Sequence, residues 1–282
     1  MSARILDGKT LARQIRAELK ERVSALGLTP RLDVIVAAQD PSSLAYVRMK
    51  HKWAAEIGIV GESYPVDDTT SQDDLMGLVD RLNRDPAVHG VLIQHPLPKH
   101  LDEDAALLAL SPAKDVDGIT PQSLGRLAAG LPGFRCATPL GMMTLLDRFE
   151  IHVEGRHAVV IGRSVILGKP AALMLLERNA TVTIAHSRTR DLSDLTRSAD
   201  ILVAAVGRPE MVRGDWIKPG AVVLDAGYNK VEGRTADVGD VCFEEAAERA
   251  SWITPVPGGV GPMTVASLLA NVVTACESPL SS

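Results

Sequence analysis

The sequence predicts an α/β fold in two lobes with a cleft between them. Short runs rich in β-branched residues alternate along the chain with longer segments of helical period, which is the pattern of α/β construction. The strand-like runs form two series, separated by a stretch near residues 118–138. A chain of 282 residues is long enough for two modest domains, each with its own core. We therefore expect one sheet in each lobe.

The composition excludes several classes of protein. With 46% hydrophobic and 23% charged residues, the chain resembles an ordinary soluble globular protein. A net charge of −5 argues against nucleic acid as the main partner, because neutralising phosphates requires a basic surface. No apolar run approaches the roughly 20 residues of a membrane span, and the N-terminus lacks the apolar stretch of a signal peptide. Cys136, Cys242 and Cys276 are far apart and the histidines are scattered, so we expect no disulfide framework, no metal site and a cytoplasmic location.

The first series of elements has clear boundaries. A helix over residues 9–26 ends at Gly27, and a second helix over residues 43–57 ends at Gly58. Ser71 and Asp74, three residues apart, predict a capping box at the start of a third helix. The strands of this lobe are predicted over residues 32–38, 59–66 and 88–93.

The second series begins after residue 138. Thr138 is predicted to cap a helix that has Pro139 at its first position. Further strands are predicted over residues 157–161, 181–185, 201–206 and 221–225, and helices over residues 169–178 and 263–276. We expect the last helix, which follows a Gly/Pro-rich loop, to return to the first lobe. The predicted domains are therefore residues 1–137 with 255–282, and residues 138–254.

A glycine-containing turn follows the strand at residues 157–161. Gly162 permits a tight turn, Gly168 permits close packing of the next helix, and the helix N-terminus offers N–H groups to a pyrophosphate. The motif departs from GxGxxG, because Ser164 stands at the second glycine position and the last spacing is one residue longer. An ordinary structural turn is the alternative interpretation. The strand–turn–helix–strand context favours a Rossmann-type dinucleotide site.

The end of the next strand indicates which dinucleotide binds. A site for NAD usually has an acidic residue about 20 residues after the first glycine, whereas an arginine there accommodates a 2′-phosphate. Here the strand runs into a turn that contains Ser187 and Arg188, with no carboxylate before Asp191. Arg163 is expected to reach the same place. A solvated basic turn is the alternative, but arginine binds phosphate with charge-assisted, bidentate geometry, so we predict NADP.

Three features of the first lobe carry little information when taken singly. Tyr46 and Lys50 are four residues apart and share a helix face, which is usually a solvated surface. Gln94 stands at a strand exit, where α/β proteins bind ligands but where a glutamine is usually a turn or capping residue. The segment 114–118 is typical of an ordinary polar turn.

Together, these segments resemble one family, the bifunctional methylenetetrahydrofolate dehydrogenase/cyclohydrolases. The resemblance extends over nearly the whole chain. The matching stretches are Asp40-Pro41-Ser42-Ser43 with Tyr46-Val47 and Lys50, Gln94 with Pro96-Leu97-Pro98, Lys114-Asp115-Val116-Asp117-Gly118, Thr138-Pro139, Val160-Ile161-Gly162-Arg163-Ser164, His186-Ser187-Arg188-Thr189, and Thr254-Pro255-Val256-Pro257-Gly258-Gly259-Val260-Gly261-Pro262-Met263-Thr264.

The resemblance implies a role for each matching residue. Lys50 is the implied catalytic lysine, Gln94 positions it, Asp117 anchors the pterin, and Tyr46 stacks on the aminobenzoyl ring. The implied substrate site also includes Pro257, Gly258 and Gly259. The implied cofactor residues are Gly162, Arg163, Ser164, Gly168, Ser187, Arg188 and Tyr228. The family also implies a homodimer, a folate site in the cleft and a last helix packed on the first lobe.

Three positions depart from the family pattern. His95 stands where leucine is usual, and Ala137 where the family often has cysteine. Tyr228 stands where isoleucine is usual and contacts the cofactor, which puts cofactor affinity in question. None of the three departures removes a catalytic role.

The implied chemistry is that of one-carbon metabolism and purine biosynthesis. NADP-dependent oxidation converts 5,10-methylenetetrahydrofolate to 5,10-methenyltetrahydrofolate, and hydrolysis then gives 10-formyltetrahydrofolate. Hydride loss from carbon requires orientation but no base, whereas attack by water requires a group that accepts a proton. Lys50 can serve only if its pKa is lowered towards neutrality. Neither step requires a metal.

Two other functions compete with this one. A shikimate-like or amino-acid dehydrogenase would have similar lobes, but it would not need the pair Tyr46 and Lys50 together with the Pro-Gly-Gly-Val-Gly-Pro loop. A non-catalytic NADP sensor would not need Lys50, Gln94 and Asp117 to be intact. Assaying both activities on the purified protein separates the three.

Overall fold

The computed structural model describes residues 2–234 and 236–278, and it confirms the predicted α/β class. The backbone contacts divide the chain into two compact units. The six-stranded unit comprises residues up to 13 together with 138–265, and the three-stranded unit comprises residues 14–137 together with those from 266 onwards. In chain order the elements are β1 (Arg4–Ile5), α1 (Gly8–Ala25), β2 (Leu32–Ala37), α2 (Pro41–Glu56), β3 (Ser63–Val66), α3 (Gln72–Arg84), β4 (Gly90–Gln94), α4 (Glu103–Ala109), α5 (Pro121–Ala128), α6 (Ala137–Arg148), β5 (His157–Ile161), α7 (Gly168–Glu177), β6 (Thr181–Ala185), α8 (Leu192–Arg197), β7 (Ile201–Ala204), β8 (Val222–Asp225), α9 (Phe243–Ala247), β9 (Trp252–Ile253) and α10 (Val260–Glu277).

The three-stranded unit contains a parallel sheet in the order β3-β2-β4. The central strand β2 is buried along its whole length, as expected for a strand that lies between two others in a parallel sheet. Helix α3 buries Leu75, Val79 and Leu82, which share one face at helical spacing. The predicted capping box is confirmed, because Ser71 Oγ accepts a hydrogen bond from Asp74 N while Asp74 accepts one from Ser71 N.

The six-stranded unit contains a parallel sheet in the order β1-β9-β8-β7-β5-β6. Strands β7 and β8 are buried throughout, whereas β6 at the edge is partly exposed. The chain passes from β5 to β6 on one side and then places β7 on the other side of β5. The strand order therefore reverses between β5 and β7, and ligands of open α/β sheets bind at such a point, at the carboxyl ends of the strands.

The ends of the chain differ from the predicted domain boundaries. Strand β1 pairs with β9, so residues up to 13 lie in the six-stranded unit, as do residues 255–265. The prediction placed both segments with the first lobe. Strands of two residues have no measurable period, so the sequence carries no signal for this pairing. Residues 279–282 of the predicted first domain lie outside the described residues.

Two helix starts also differ from the prediction. Helix α6 begins at Ala137, so the expected N-cap at Thr138 is wrong, and Thr138 Oγ1 instead accepts a hydrogen bond from Thr264 Oγ1 at 3.1 Å. Helix α10 begins at Val260 rather than at residue 263. The glycines and proline of its first turn hid this start, because they are poor helix formers.

Helix α10 is long and apolar enough to cross a membrane, as judged by length and composition alone. Within the described residues it is the single helix with this property, and 61% of the apolar window is buried inside the structure. Helices that are apolar on all sides are also typical of the core of a large domain.

Candidate active site

Helix α2 and strand β4 bring three of the predicted residues together. Lys50 lies on α2, with only 4% of its surface exposed. Its Nζ lies 4.5 Å from the centroid of the Tyr46 ring, one turn earlier on the same helix. The same Nζ donates a hydrogen bond of 2.9 Å to Oε1 of Gln94, the last residue of β4. The amine is therefore held between an aromatic face and an amide oxygen.

The turn that carries Asp117 is fixed next to β4. Val91 N donates to Lys114 O at 2.8 Å, which extends the sheet by one short bridge. Lys114 Nζ donates to the carbonyl oxygens of Leu82 and Asp85 at the end of α3, at 2.6 Å each. The turn is therefore anchored to two elements of the three-stranded unit.

The second carboxylate of the same turn is structural. Asp115 is fully buried, and its oxygens accept hydrogen bonds from Ile119 N, Thr120 N and Ser123 Oγ. In contrast, no donor in residues 2–234 and 236–278 forms a hydrogen bond to the Asp117 carboxylate. The turn interpretation is therefore correct for Lys114 and Asp115, whereas the Asp117 carboxylate lies in the same turn without a hydrogen bond from the described residues.

The helix α10 supplies a further support that the sequence did not reveal. Asn271 is buried, and its Nδ2 donates to Val116 O at 2.7 Å and to Arg135 O at 3.1 Å. These two bonds tie the backbone just before Asp117 to the segment that leads into α6. Its one sequence signal is an amide side chain inside an otherwise apolar helix.

The ionisable groups of Tyr46, Lys50, Asp115 and Asp117 influence one another. Burial lowers the pKa of the Lys50 amine, and the nearby Asp117 charge opposes this shift. Burial raises the pKa of the Asp117 carboxyl; the Lys50 charge opposes that shift and the Asp115 charge adds to it. Burial also raises the pKa of the Tyr46 phenol, so that this ring stays neutral. Lowering the pKa of Lys50 brings its free amine closer to the pH at which it can accept a proton.

His95, one of the departures from the family pattern, is engaged elsewhere. Its Nδ1 lies 2.5 Å from Glu103 Oε1, and Glu103 Oε2 accepts a hydrogen bond from Leu97 N at 2.8 Å. The contact of His95 with Gln94 is through its backbone, since Gln94 Nε2 donates to His95 O at 3.0 Å. The imidazole is thus tied to the first turn of α4.

The glycine motif after β5 has the tight geometry that the sequence predicts. Gly162 has φ +133°, and a Cβ there would lie 2.3 Å from Ala205 O. A Cβ on Gly168, at the start of α7, would lie 2.3 Å from Gly162 O. Ser164 Oγ accepts a hydrogen bond from Gly168 N at 3.3 Å. Only glycine fits at both positions, so the backbone can approach a ligand closely there.

The loops after β5 and β6 carry basic residues at the same end of the sheet. Ile161 and Ala185 are register partners at the ends of the two strands, so Arg163 and Arg188 follow at the same edge. Both arginines and Ser187 are exposed, and no carboxylate in the described part of the chain forms an ion pair with either guanidinium. The turn is shaped by Arg188 N, which donates to His186 Nδ1 at 3.1 Å. Two guanidinium groups without a carboxylate partner suit an anionic phosphate.

Tyr228 lies on the loop that follows β8. Its side chain is 63% exposed, and its hydroxyl donates a hydrogen bond to the Asp237 carboxylate. Asn229 and Val238 form a backbone pair that closes this loop. The structure therefore places Tyr228 at the same edge of the sheet as Gly162, with its hydroxyl already engaged.

The loop that precedes α10 packs closely on the start of α1. Gly258 has φ +111°, and its carbonyl oxygen accepts a hydrogen bond from Lys9 N at 2.8 Å. A Cβ on Gly8 would lie 1.8 Å from Gly259 O. The compact backbone explains why glycines occur here, beside the cis peptide bond that precedes Pro257.

No group of three or more His, Cys, Asp or Glu side chains suited to a metal ion occurs among the described residues.

Family models and individual relatives agree on what the chain resembles. The model of the tetrahydrofolate dehydrogenase/cyclohydrolase catalytic domain matches residues 6–117, and that of the NAD(P)-binding domain matches residues 136–279. The bifunctional protein FolD of Moorella thermoacetica is 54% identical over 280 residues, which cover 98% of this chain and 100% of that protein.

Solved structures give the same result. FolD of Campylobacter jejuni is 45% identical with a TM-score of 0.96, over 99% of this chain and 100% of that one. FolD of Trypanosoma brucei, in complex with NADP cofactor and inhibitor, is 40% identical with a TM-score of 0.93, over 98% of each chain. Shikimate 5-dehydrogenase of Thermus thermophilus shares 18% identity and a TM-score of 0.52, which shows a common fold alone. The chain therefore belongs to the tetrahydrofolate dehydrogenase/cyclohydrolase family, as its sequence motifs predict.

Proposed function

We propose that the chain catalyses two successive reactions on a one-carbon folate. In the first, 5,10-methylenetetrahydrofolate is oxidised to 5,10-methenyltetrahydrofolate with NADP, and in the second the product is hydrolysed to 10-formyltetrahydrofolate. Membership of the family supports both activities. The observation that carries the assignment is the buried Lys50 amine, held by Gln94 and Tyr46 beside the open carboxylate of Asp117.

We assign the folate to the three-stranded unit and NADP to the six-stranded unit. Asp117 is proposed to pair with adjacent N–H donors of the pterin, since a carboxylate accepts two such bonds at once. Tyr46 offers its ring face to the aminobenzoyl group, and Pro257, Gly258 and Gly259 are proposed as further substrate contacts. These three residues belong to the segment 255–265, which lies in the six-stranded unit.

The oxidation step needs orientation rather than proton transfer. The bound nicotinamide supplies the acceptor for a hydride from the methylene carbon. Asp117 and Tyr46 hold the folate in one position. Gln94 accepts a hydrogen bond from the Lys50 amine and so keeps that side chain in one orientation. No proton leaves the carbon, so the chain needs no base in this step.

The hydrolysis step needs a proton acceptor. Water attacks the methenyl carbon and loses a proton as the new C–O bond forms. The C–N bond then opens with its electron pair on nitrogen, which takes up a proton, while the remaining hydroxyl proton leaves as the formyl C=O forms, so that one proton is released overall. We propose that Lys50 Nζ accepts the first proton, because burial lowers its pKa and Gln94 Oε1 holds it at 2.9 Å. Lys50 is the proposed proton-transfer residue, and Gln94 is the residue that positions it.

The preference for NADP is assigned to three side chains. Arg163, Ser187 and Arg188 are exposed at the ends of β5 and β6, where an acidic residue would select NAD. Gly162, Ser164 and Gly168 form the tight turn into α7 that is proposed to receive the pyrophosphate. Tyr228, on the loop after β8, is proposed to lie against the cofactor.

We further propose a homodimer in the cytoplasm that supplies one-carbon units for purine biosynthesis, without a nucleic-acid or membrane partner. Strand β6 at the sheet edge supports the dimer, because Ile184 is 43% exposed there and an edge strand can pair with a second copy. Light scattering should give twice the chain mass. Ile184→Lys should reduce that mass, and a monomeric unmodified protein would contradict the proposal.

A direct assay tests the function. The purified protein should produce the absorbance of NADPH from NADP and methylenetetrahydrofolate, and it should remove the absorbance of added methenyltetrahydrofolate without any nucleotide. NAD should be used poorly. A protein that oxidises shikimate, or that binds NADP without turning over folate, would contradict the proposal.

A further inference from the structure

The loop that follows β7 is organised by a carboxylate from a distant part of the chain. Asp240 is fully buried and accepts hydrogen bonds from three consecutive backbone N–H groups, those of Val206, Gly207 and Arg208, at 2.6, 3.0 and 2.9 Å. Gly207 has φ +64°, which curls the backbone around the anion. Successive N–H groups in such a turn form a concave anion site, and here the chain fills that site itself.

Asp240 is in turn held by other parts of the same unit. Asn229 Nδ2 donates to its Oδ1 at 3.0 Å. The backbone N–H of Asp240 donates at 3.0 Å to Oδ1 of Asp225, the last residue of β8. Asp225 also accepts hydrogen bonds from Gly227 N and Val241 N, at 2.9 Å each. The loop after β7 is thus connected through one carboxylate to the end of β8.

The backbone at two glycines packs directly against the two carboxylates, so that a side chain at either position would clash. A Cβ on Gly239 would lie 1.9 Å from Asp225 Oδ2, and a Cβ on Gly227 would lie 2.4 Å from Asp240 Oδ1. Both glycines are therefore required by the approach of the carboxylates. Two buried carboxylates in contact with the same segment disfavour each other, so a structural benefit must offset that cost.

The loop that Asp240 holds borders the point where the strand order reverses. Strand β7 pairs with β5, and Ala205 N donates to Ile161 O at 2.8 Å. A Cβ on Gly162 would lie 2.3 Å from Ala205 O, so the loops after β5 and β7 touch at their origin. These two loops form the two sides of the crevice in which a dinucleotide binds in such a sheet.

We propose that Asp240 is a positioning residue for NADP: its carboxylate fixes the loop of residues 206–208 in the shape that the cofactor requires. This inference rests on the proposed NADP site in the six-stranded unit. Asp240 itself is buried under the loop and does not touch the cofactor. Its effect is therefore confined to the reaction that uses NADP.

The hydrolysis reaction, which does not use NADP, is an internal control for the effect of Asp240 on the oxidation. Asp240→Asn removes the charge that the three N–H groups share, and hydrogen bonds to a charged group are strong enough that the KM for NADP should rise about tenfold or more. The kcat of the dehydrogenase should change less. Hydrolysis of added methenyltetrahydrofolate, which consumes no NADP, should stay within about twofold of the unmodified rate, because the hydrolytic residues lie in the other unit.

Asp200→Asn is the matched control variant. Asp200 also accepts a hydrogen bond from a backbone N–H, that of His157 at 3.0 Å. It lies just before β7, at the amino ends of the strands, whereas the loop that Asp240 holds lies at their carboxyl ends. This variant should leave the KM for NADP unchanged. An equal rise in both variants would show a general loss of stability and would overturn the proposal, as would an unchanged KM in Asp240→Asn.

A second pair of variants tests the loop if Asp240→Asn does not fold. Gly207→Ala strains the loop at φ +64° without a steric clash, and Gly220→Ala introduces the same strain at φ +83° in the turn before β8. Gly207→Ala should raise the KM for NADP several-fold and Gly220→Ala should not. Equal KM values for NADP in Gly207→Ala and Gly220→Ala would overturn the proposal. An unmodified protein that does not use NADP at all would instead refute the proposed function.

Discussion

Two aspartates, one in each unit, use their carboxylates in opposite ways. Asp240 accepts four hydrogen bonds from its own chain, three of them from consecutive backbone N–H groups. Asp117 accepts none from the described residues, although the turn that carries it is anchored by Lys114, Asp115 and Asn271. A carboxylate whose oxygens are satisfied shapes the backbone, whereas one that is held in place with open oxygens is available to a ligand.

The two aspartates also differ in the charges that surround them. Lys50 partly compensates the charge of Asp117, so the pair keeps an amine beside the carboxylate that we propose as the acceptor for the pterin. No cation among the described residues forms a hydrogen bond to Asp225 or Asp240, whose donors are backbone N–H groups and the Asn229 amide. We propose that the first arrangement supports chemistry and that the second supports the shape of a loop. The variants described below test this difference.

The largest effect is expected at Lys50. Lys50→Met keeps most of the apolar stem and removes the amine, so hydrolysis of methenyltetrahydrofolate should fall by about 10²–10⁴-fold, the usual effect of losing an acid–base group. Oxidation of methylenetetrahydrofolate should fall less, since it requires no proton acceptor. Both rates should be measured on one preparation. Lys52→Met, at an exposed position on the same helix, is the control and should change neither rate. A parallel fall of both rates would make Lys50 a positioning residue.

A loss of folate binding is expected at Asp117. Asp117→Ala leaves the pterin donors unsatisfied, which typically costs about 1–3 kcal/mol for a buried group and more for a charged pair. Both activities should therefore fall and the Kd for folate should rise, while the Kd for NADP changes little. Calorimetric titration with each ligand separates the two affinities. Normal folate affinity in this variant would reassign Asp117 to a structural turn, like its neighbour Asp115.

The cofactor preference depends on Arg163. Losing one charge-assisted contact costs about 1.5–3 kcal/mol, so Arg163→Ala should weaken NADP binding by roughly ten- to a hundredfold. NAD, which lacks the 2′-phosphate, is the internal control and should bind with nearly unchanged affinity. Fluorescence titration with both nucleotides provides the test. If the unmodified protein binds NAD and NADP equally, the three side chains at the ends of β5 and β6 do not select the cofactor.

A smaller effect is expected from the pH dependence of stability. Burial raises the pKa of Asp225 to about 7; backbone N–H groups oppose this shift and the Asp240 charge adds to it. The unfolded value is about 3.9, so between about pH 4 and 7 the folded state holds a proton that the unfolded state lacks. The contribution of Asp225 to the free energy of unfolding should therefore fall as the pH rises through this window, by at most about 1.4 kcal/mol per pH unit.

Chemical denaturation of the unmodified protein and of Asp225→Asn at several pH values measures this contribution. The difference in unfolding free energy between the two proteins should decline from pH 4 to 7 and become constant above about pH 8. A difference that does not depend on pH would show that Asp225 does not titrate in this range.

The smallest effect is expected at His95. Its ring is held by Glu103 and does not contact the Gln94 side chain, so His95→Leu should leave both activities within a few-fold. A pH profile of each activity checks this. A large shift of either optimum would place the imidazole within the active site.

Much of the fold follows from sequence patterns that depend on burial. Strands β5 and β6 have the predicted limits, because a β-branched run bounded by turn residues has few alternatives. The elements that the sequence did not predict are short. Helices α4, α5, α8 and α9 have seven, eight, six and five residues, and β1 and β9 have two each, too few for a clear period to appear.

The candidate site was predictable to a different extent in each unit. The motifs of the first lobe predict Tyr46, Lys50, Gln94 and Asp117 as site residues, and the structure brings them together. Asp225 and Asp240 were not predicted, because their partners are backbone groups from residues up to 34 positions away. A glycine stands near each aspartate in the sequence: Gly227 lies two residues after Asp225, and Gly239 directly precedes Asp240.

We propose that the open carboxylate of Asp117 serves the folate in both reactions, while the hydrogen-bonded carboxylate of Asp240 serves only the reaction that uses NADP. The most direct measurement is a crossed assay, with both rates determined at varied NADP for Asp117→Ala and for Asp240→Asn. Asp117→Ala should lower both rates, and Asp240→Asn should raise the KM for NADP in the oxidation while sparing the hydrolysis of methenyltetrahydrofolate. Hydrolysis that survives in Asp117→Ala, or that falls with the oxidation in Asp240→Asn, would contradict the account.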